Sequence, residues 1–207
     1  PTRRGFSSVS HASQAKIHEY SDAVEAMVRY FESSPFASRI AGYGIAGEMD
    51  EQWHMFAPYG GGGVRYGMVD YSGVMVDFFR EYLAKKYVFD AALQTAWGDK
   101  NVTISTAEIP GYEERVGNEF FVSQKVADYN EAYALAEAQL ISALGKSANK
   151  ALKRKAIVWV YTKDSYRDVG MNQFFPHVLN SGSGFEQYTS ADYNAFGNPT
   201  DYYFRRN

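Results

Sequence analysis

Cysteine is absent from the 207 residues, which excludes disulfides, thiolate metal sites and a cysteine nucleophile. The absence leaves the compartment open, because cysteine-free proteins occur inside and outside cells. No stretch approaches the roughly 18 apolar residues of a membrane span, so no membrane partner is expected. Pro1 to Ser7 hold a basic pair, Arg3 and Arg4, with no apolar stretch behind it, and no signal peptide is read there. Histidine is scarce, with 4 in the chain. His11 and His18 would align on a helix but lack a third ligand, and His54 and His177 stand alone, so no metal and no cofactor are expected. Concentrated positive charge is missing too. The net charge is −3, and the one basic run, Lys150, Lys153, Arg154 and Lys155, reads as a solvated helix end. Nucleic acid is therefore not an expected partner. The G-x-S-x-G elbow of serine hydrolases is lacking. The glycines Gly60 to Gly63 are not followed by the Lys-Ser/Thr and helix of a phosphate-binding loop.

What the chain has in excess is aromatic side chains: 17 Tyr, 14 Phe and 3 Trp, 16% of the whole. Tyr and Trp offer an apolar face and a polar edge, a pairing that suits sugar rings and equally suits a Tyr-rich core.

Periodicity gives the elements. Ala15, Tyr20, Val24, Met27, Val28 and Phe31 recur at helical spacing, predicting a helix over residues 13–33 that ends at Ser33-Ser34-Pro35. Arg39 to Ala46 is short and apolar, as expected of a strand in a parallel sheet covered on both faces. A long Gly-rich segment follows, Gly47 to Gly67, bearing Glu48, Asp50, Glu51, Trp53, His54 and Tyr59, the composition of a functional loop. Asp70-Tyr71-Ser72 caps a predicted helix running to about Tyr87. A second helix, Phe89 to Trp97, closes on Gly98, and residues 101–119 read as irregular. A long amphipathic helix is expected from Ser123 to Leu144, stopped near Gly145. Ala156 to Tyr161 is the clearest strand, by β-branched and aromatic content. Beyond it, residues 172–179 read as a helix and Phe185 to Ser190 as a third strand, followed by a polar, aromatic tail. Alternating helices and strands of this kind imply parallel βαβ crossovers.

Two stretches carry a family resemblance. Ser34-Pro35-Phe36, Arg39-Ile40, Gly42-Tyr43 and then Ala46-Gly47-Glu48 resemble the fourth-strand region of β-galactosidase-like glycoside hydrolases of the family 42 type. Asp70-Tyr71-Ser72, Phe78, Arg80, Tyr82-Leu83, Lys86-Tyr87, Ala92-Leu93 and Ala96-Trp97-Gly98 are similar to the helical region that follows. Asp128-Tyr129-Asn130 and the strand Trp159 to Tyr161 fall where such enzymes place their next unit. The resemblance implies one α/β domain over residues 1–207, a partial or incomplete (β/α)8 TIM barrel with parallel strands. It implies a glycoside hydrolase acting on β-galactoside-like or related glycans, with carbohydrate as partner.

In that family the glutamate after this strand is the acid/base, which falls on Glu48. Some relatives end a Gly-rich segment in Glu-Trp instead, and that register points to Glu51, one residue before Gln52-Trp53. Trp53, His54, Tyr59 and Tyr71 are expected to line a sugar subsite, and Asp192 to bind sugar hydroxyls. For the second carboxylate, Glu186, Asp192 and Asp164 are candidates, although none has the family's spacing. Two departures stand out. Gly47 replaces the Asn that precedes the acid in the family, and the chain is short for a barrel of typically about 250 residues. The nucleophile is thus expected outside this chain. A non-catalytic carbohydrate-binding or structural protein is the alternative, and a homo-oligomer or association with missing barrel segments is a further expectation.

Overall fold

A computed structural model describes residues 9–45, 70–111, 114, 123–161 and 192–197. The first helix, α1, spans Gln14–Glu32; Ser13 caps it, its side chain accepting from the Lys16 amide. Its end at Ser33 follows the proline signal two residues on. A 3-10 turn, Ala37–Arg39, leads to strand β1, Gly42–Ile45. Helix α2, Gly73–Tyr87, starts from Ser72, whose hydroxyl accepts from the Met75 amide. Helix α3, Asp90–Trp97, ends at Gly98 with φ +68°, a left-handed cap that a side chain rarely adopts. A 3-10 turn follows at Ile104–Thr106, held by a Thr103–Thr106 capping box.

Helix α4 departs from expectation. It runs Gln124–Ala151, 28 residues, straight through Gly145. The reason is packing. A Cβ on Gly145 would lie 2.6 Å from the Tyr193 ring and 3.0 Å from the Asp192 carbonyl oxygen, so glycine here admits a neighbour instead of ending the helix. Strand β2, Ile157–Tyr161, is as predicted. The third strand, β3, is Ala195–Gly197, in what reads by sequence as tail. The segments expected to form a helix at 172–179 and a strand at Phe185 to Ser190 lie outside the described residues.

Among the described residues, three parallel strands form one sheet in the order β1-β2-β3. Gly42 pairs with Ile157 and Ile45 with Val160, and Trp159 pairs with Ala195. Alternation sorts the side chains. Tyr43, Ile45, Val158 and Val160 are buried in one cluster with Val28 of α1 and Ile141, Leu144 and Ala148 of α4. The opposite face carries Gly42, Gly44, Ile157 and Trp159; Trp159 sits over Gly44, while Ile157 is 48% exposed. Helices thus cover one face of the sheet, and coverage of both faces, expected from the apolar run of β1, is not seen among the described residues. A second core joins α2 and α3 to the N-terminal half of α4 through Met75, Phe79, Leu83, Leu93, Tyr129 and Tyr133. No helix among the described residues is long and apolar enough to cross a membrane.

Candidate functional site

The chain path sets where a site belongs. α4 enters β2 through the short link 152–156, so the C-terminus of α4 lies at the amino end of the strands. Three contacts ascend together along α1 and α4: His11 with Glu137, Glu25 with Lys150, and Ser33 with Lys153. The two helices are therefore parallel, and both start toward the carboxyl edge of the sheet. With 28 residues, α4 is about 42 Å long. The 5 residues of β2 span about 17 Å. The N-terminal half of α4 consequently rises beyond that edge. Barrel enzymes build their sites at the carboxyl edge, from the loops that leave the strands.

A polar seam lies at this level. On α4 the buried stripe that packs on the sheet, Ile141, Leu144 and Ala148, continues toward the N-terminus at helical spacing as Glu137 and Asn130. Both are 1% exposed. Glu137 Oε2 stands 3.8 Å from Nδ1 of His11, itself 1% exposed, and the His11 ring lies 5.9 Å from the Tyr133 ring. The Asn130 amide has no hydrogen-bond partner among the described residues, a state that costs about 1–3 kcal/mol for each buried polar group left unpaired. Asp70, just before α2, is clasped by Tyr129, whose hydroxyl accepts from the Asp70 amide at 2.8 Å and donates to its carbonyl at 2.7 Å. Oδ1 of Asp70 accepts from the Ser72 amide at 2.9 Å. Imidazole, amide and carboxylates together offer the donors and acceptors that hydroxyl groups need. The sequence presents His11 only as a metal-ligand candidate and Asn130 only within the Asp128-Tyr129-Asn130 triplet of the resemblance, and Glu137 has no part in either. The signal was present as polar residues seven apart on an otherwise apolar helix face.

A second polar cluster is structural. Asp128, fully buried, accepts from Lys86 Nζ at 2.9 Å and Gln124 Nε2 at 2.8 Å on Oδ1. Its Oδ2 accepts from Tyr87 at 2.8 Å and Trp97 Nε1 at 2.7 Å. Lys86 also contacts Glu131 at 2.6 Å, and Tyr82 donates to the same carboxylate. Burial alone would lower the Lys86 pKa, but hydrogen bonds to Glu131, Asp128 and Tyr82 outweigh it and hold the ammonium well above its ordinary value. Burial first, and the bond to Asp128 second, push the Tyr87 hydroxyl up. The motif residues Tyr82, Lys86, Tyr87 and Trp97 thus meet on Asp128 and Glu131 and tie α2 and α3 to α4.

Of the predicted site residues, Glu48, Glu51, Trp53, His54 and Tyr59 lie outside the described residues, as do Asp164 and Glu186. Tyr71 is 44% exposed, beside the cap of α2. Asp192 precedes β3, the strand expected before it lying outside the described residues, and its Oδ2 accepts from Ser142 at 2.8 Å, with Lys146 at 3.8 Å. Its backbone carbonyl accepts from Asn149 at 2.6 Å. Asp192 therefore joins β3 to α4 on the amino-terminal side of the strand, away from the carboxyl edge.

The basic run is also tethered rather than merely solvated. Lys150 pairs with Glu25 at 2.9 Å, Lys153 Nζ lies 3.1 Å from Ser33 Oγ, and Arg154 pairs with the buried Glu32 at 3.1 Å. His18 pairs with Asp22 at 3.4 Å on the exposed side of α1. Among the described residues no three His, Asp or Glu side chains are grouped to hold a metal ion.

No protein-family model matches the chain, and no curated protein matches it by sequence. Solved structures do. The catalytic domain of β-amylase from Paenibacillus polymyxa is similar with a TM-score of 0.67 at 16% identity, over 91% of this chain and 48% of that one. A β-galactosidase from the Antarctic haloarchaeon Halorubrum lacusprofundi gives 0.62 at 17% identity, over 96% of this chain and 25% of that one. The β-galactosidase of Marinomonas ef1 gives 0.54 at 17% identity, over 96% and 26%. The chain thus shares, remotely, the fold of glycoside-hydrolase catalytic domains, without singling out the family 42 type. It spans between a quarter and a half of the length of these chains.

Proposed function

We propose that the chain is part of a glycoside hydrolase acting on β-galactoside-like or related glycans, with Glu48 as general acid/base. The observation that carries this reading is a conjunction. The fold is that of glycosidase catalytic domains, and Glu48 stands three positions beyond Ile45, the last residue of β1. Residues that follow a barrel strand are the usual source of catalytic groups. Glu51 is the acid on the alternative register. Trp53, His54, Tyr59 and Tyr71 supply sugar contacts in this reading; Asp192, engaged with α4, does not. Retaining chemistry needs a second carboxylate about 5 Å from the first, and this reading assigns it to sequence outside the chain.

The test is hydrolysis of chromogenic β-glycosides by the wild type, Glu48→Gln and Glu51→Gln. Loss of an acid/base costs about 10²–10⁴-fold, expected for Glu48→Gln and not for Glu51→Gln. Because this reading places the second carboxylate outside the chain, the assay is run on the chain joined to the sequence that supplies it, and a folded assembly without turnover would sink the reading. Gly47 in the place of the family's Asn favours a second reading, a non-catalytic carbohydrate-binding protein, which predicts sugar binding without turnover.

A further inference from the structure

Two buried polar groups stand without a hydrogen-bond partner beside Tyr129. Asn130, 1% exposed, has both Oδ1 and Nδ2 unpaired among the described residues, and Asp70, 3% exposed, has Oδ2 unpaired. Buried polar groups of folded chains are almost always paired, so each exception calls for a physical reason. Nδ2 of Asn130 is a donor and Oδ2 of Asp70 an acceptor, yet the two do not bond to each other. They stay apart although the Tyr129 hydroxyl holds the Asp70 backbone at 2.7 and 2.8 Å. Position narrows the reason. Asn130 lies in the second turn of α4, in the half of the helix that rises beyond the carboxyl edge. It continues the stripe of Ile141, Leu144 and Ala148 that packs on the sheet, so it is turned toward the space above the strands. Glu137 comes two turns later, about 10 Å nearer the strands. Asp70 immediately precedes α2, the helix that follows β1. Barrel enzymes bind their substrates at this edge.

We infer that Asn130 is a specificity-determining residue of the glycan site, its side-chain amide bonding a hydroxyl of the bound sugar, with Asp70 Oδ2 as a further acceptor. A side-chain amide offers donor and acceptor together, and every sugar hydroxyl offers both as well. A site built around a hydrogen bond to a hydroxyl rejects the analogue that lacks it, because the buried amide is then left unpaired. The inference deepens the glycoside-hydrolase reading and rests on it.

The test is calorimetric binding of galactose, glucose and their monodeoxy analogues to the chain joined to the sequence that supplies the second carboxylate. The wild type is expected to bind a parent sugar, and to bind one of its deoxy analogues about tenfold more weakly, the worth of one hydrogen bond. Asn130→Leu and Asn130→Ala are expected to bind the parent about tenfold more weakly and to lose that discrimination. Without sugar, at least one of the two is expected to melt no lower than the wild type, since the amide it removes has no bond to lose. A wild type that binds no sugar of the panel overturns the glycan reading, and this inference with it. A wild type that binds, with both variants keeping its affinity and discrimination, overturns the role of Asn130 and leaves the glycan reading standing. A sugar-free melting temperature lowered in both variants shows the amide already satisfied inside the folded protein, as by a buried water, and overturns the inference as well.

Discussion

Replacing Asp128 by Asn should cost far more than its near-identical shape implies. Asp128 Oδ2 accepts from Tyr87 and Trp97, and Oδ1 accepts from Lys86 and Gln124. The Asn carbonyl can serve only one of these pairs. If it keeps Tyr87 and Trp97, its NH2 group faces two donors, the Lys86 ammonium and the Gln124 amide. Lys86 retains Glu131, and Gln124 is exposed, so both can partly compensate. Removing one partner of a buried ion pair costs about 3–5 kcal/mol; retention of Glu131 brings the expectation to about 2–3 kcal/mol. Asp128→Ala orphans the Tyr87 and Trp97 donors as well, at about 1–3 kcal/mol each, for a total of about 4–9 kcal/mol. Urea unfolding followed by circular dichroism reads this as a lowered midpoint at constant slope. A loss below about 0.5 kcal/mol for Asp128→Asn, the range of an ordinary surface substitution, would refute the claim that these four bonds hold the helices together.

Glu32 gives an acid-side prediction. Burial raises its carboxyl pKa, but the Tyr43 hydroxyl at 2.8 Å and Arg154 outweigh that and hold it below its ordinary 4.5. A lowered folded pKa means stability that is complete above 4.5 and lost as pH falls through the folded value. The gap in urea midpoint between wild type and Glu32→Gln should therefore be widest near neutrality and shrink toward pH 3; a constant gap would contradict the assignment. Gly145→Ala would stabilise an ordinary solvated helix by about 1 kcal/mol. Here the new Cβ would meet the Tyr193 ring, whose hydroxyl donates to the Ile141 carbonyl, and a net loss of about 1–3 kcal/mol is expected from overpacking. A raised melting temperature would count against that packing.

Local signals carried the helices well. Ser13 and Ser72 cap as their positions predict, and Gly98 ends α3 by taking a left-handed φ of +68°. The same residue type misled at Gly145, since its role is set by Tyr193, 48 residues further on (193 − 145), and no local window contains that contact. β3 is only 3 residues long, too short for an alternation pattern to register, and it is positioned by its pairing with β2. Asp192 reads as a loop carboxylate because its partners, Ser142 and Lys146, sit on a helix far back in the chain. The resemblance brought Tyr82, Lys86, Tyr87, Trp97 and Asp128 to notice without revealing that they converge, because convergence is a property of three helices packed together. The buried seam of His11, Asn130 and Glu137 was legible in principle, as a break in an apolar stripe.

The pairing of Gly42 with Ile157 joins residues roughly 115 apart, and such contacts form late because the loop between them must close first. Between them lie α2, α3 and α4, whose contacts with one another are nearer in sequence and whose core includes Phe79, Leu93 and Tyr133. In kinetic terms α4 is a shared scaffold. Its N-terminal half is expected to assemble with α2 and α3 before its C-terminal half has any sheet to rest on. The intermediate would be a helical cluster with β1 still loose, and the order of events on the way to the native state would run from the helices to the strands.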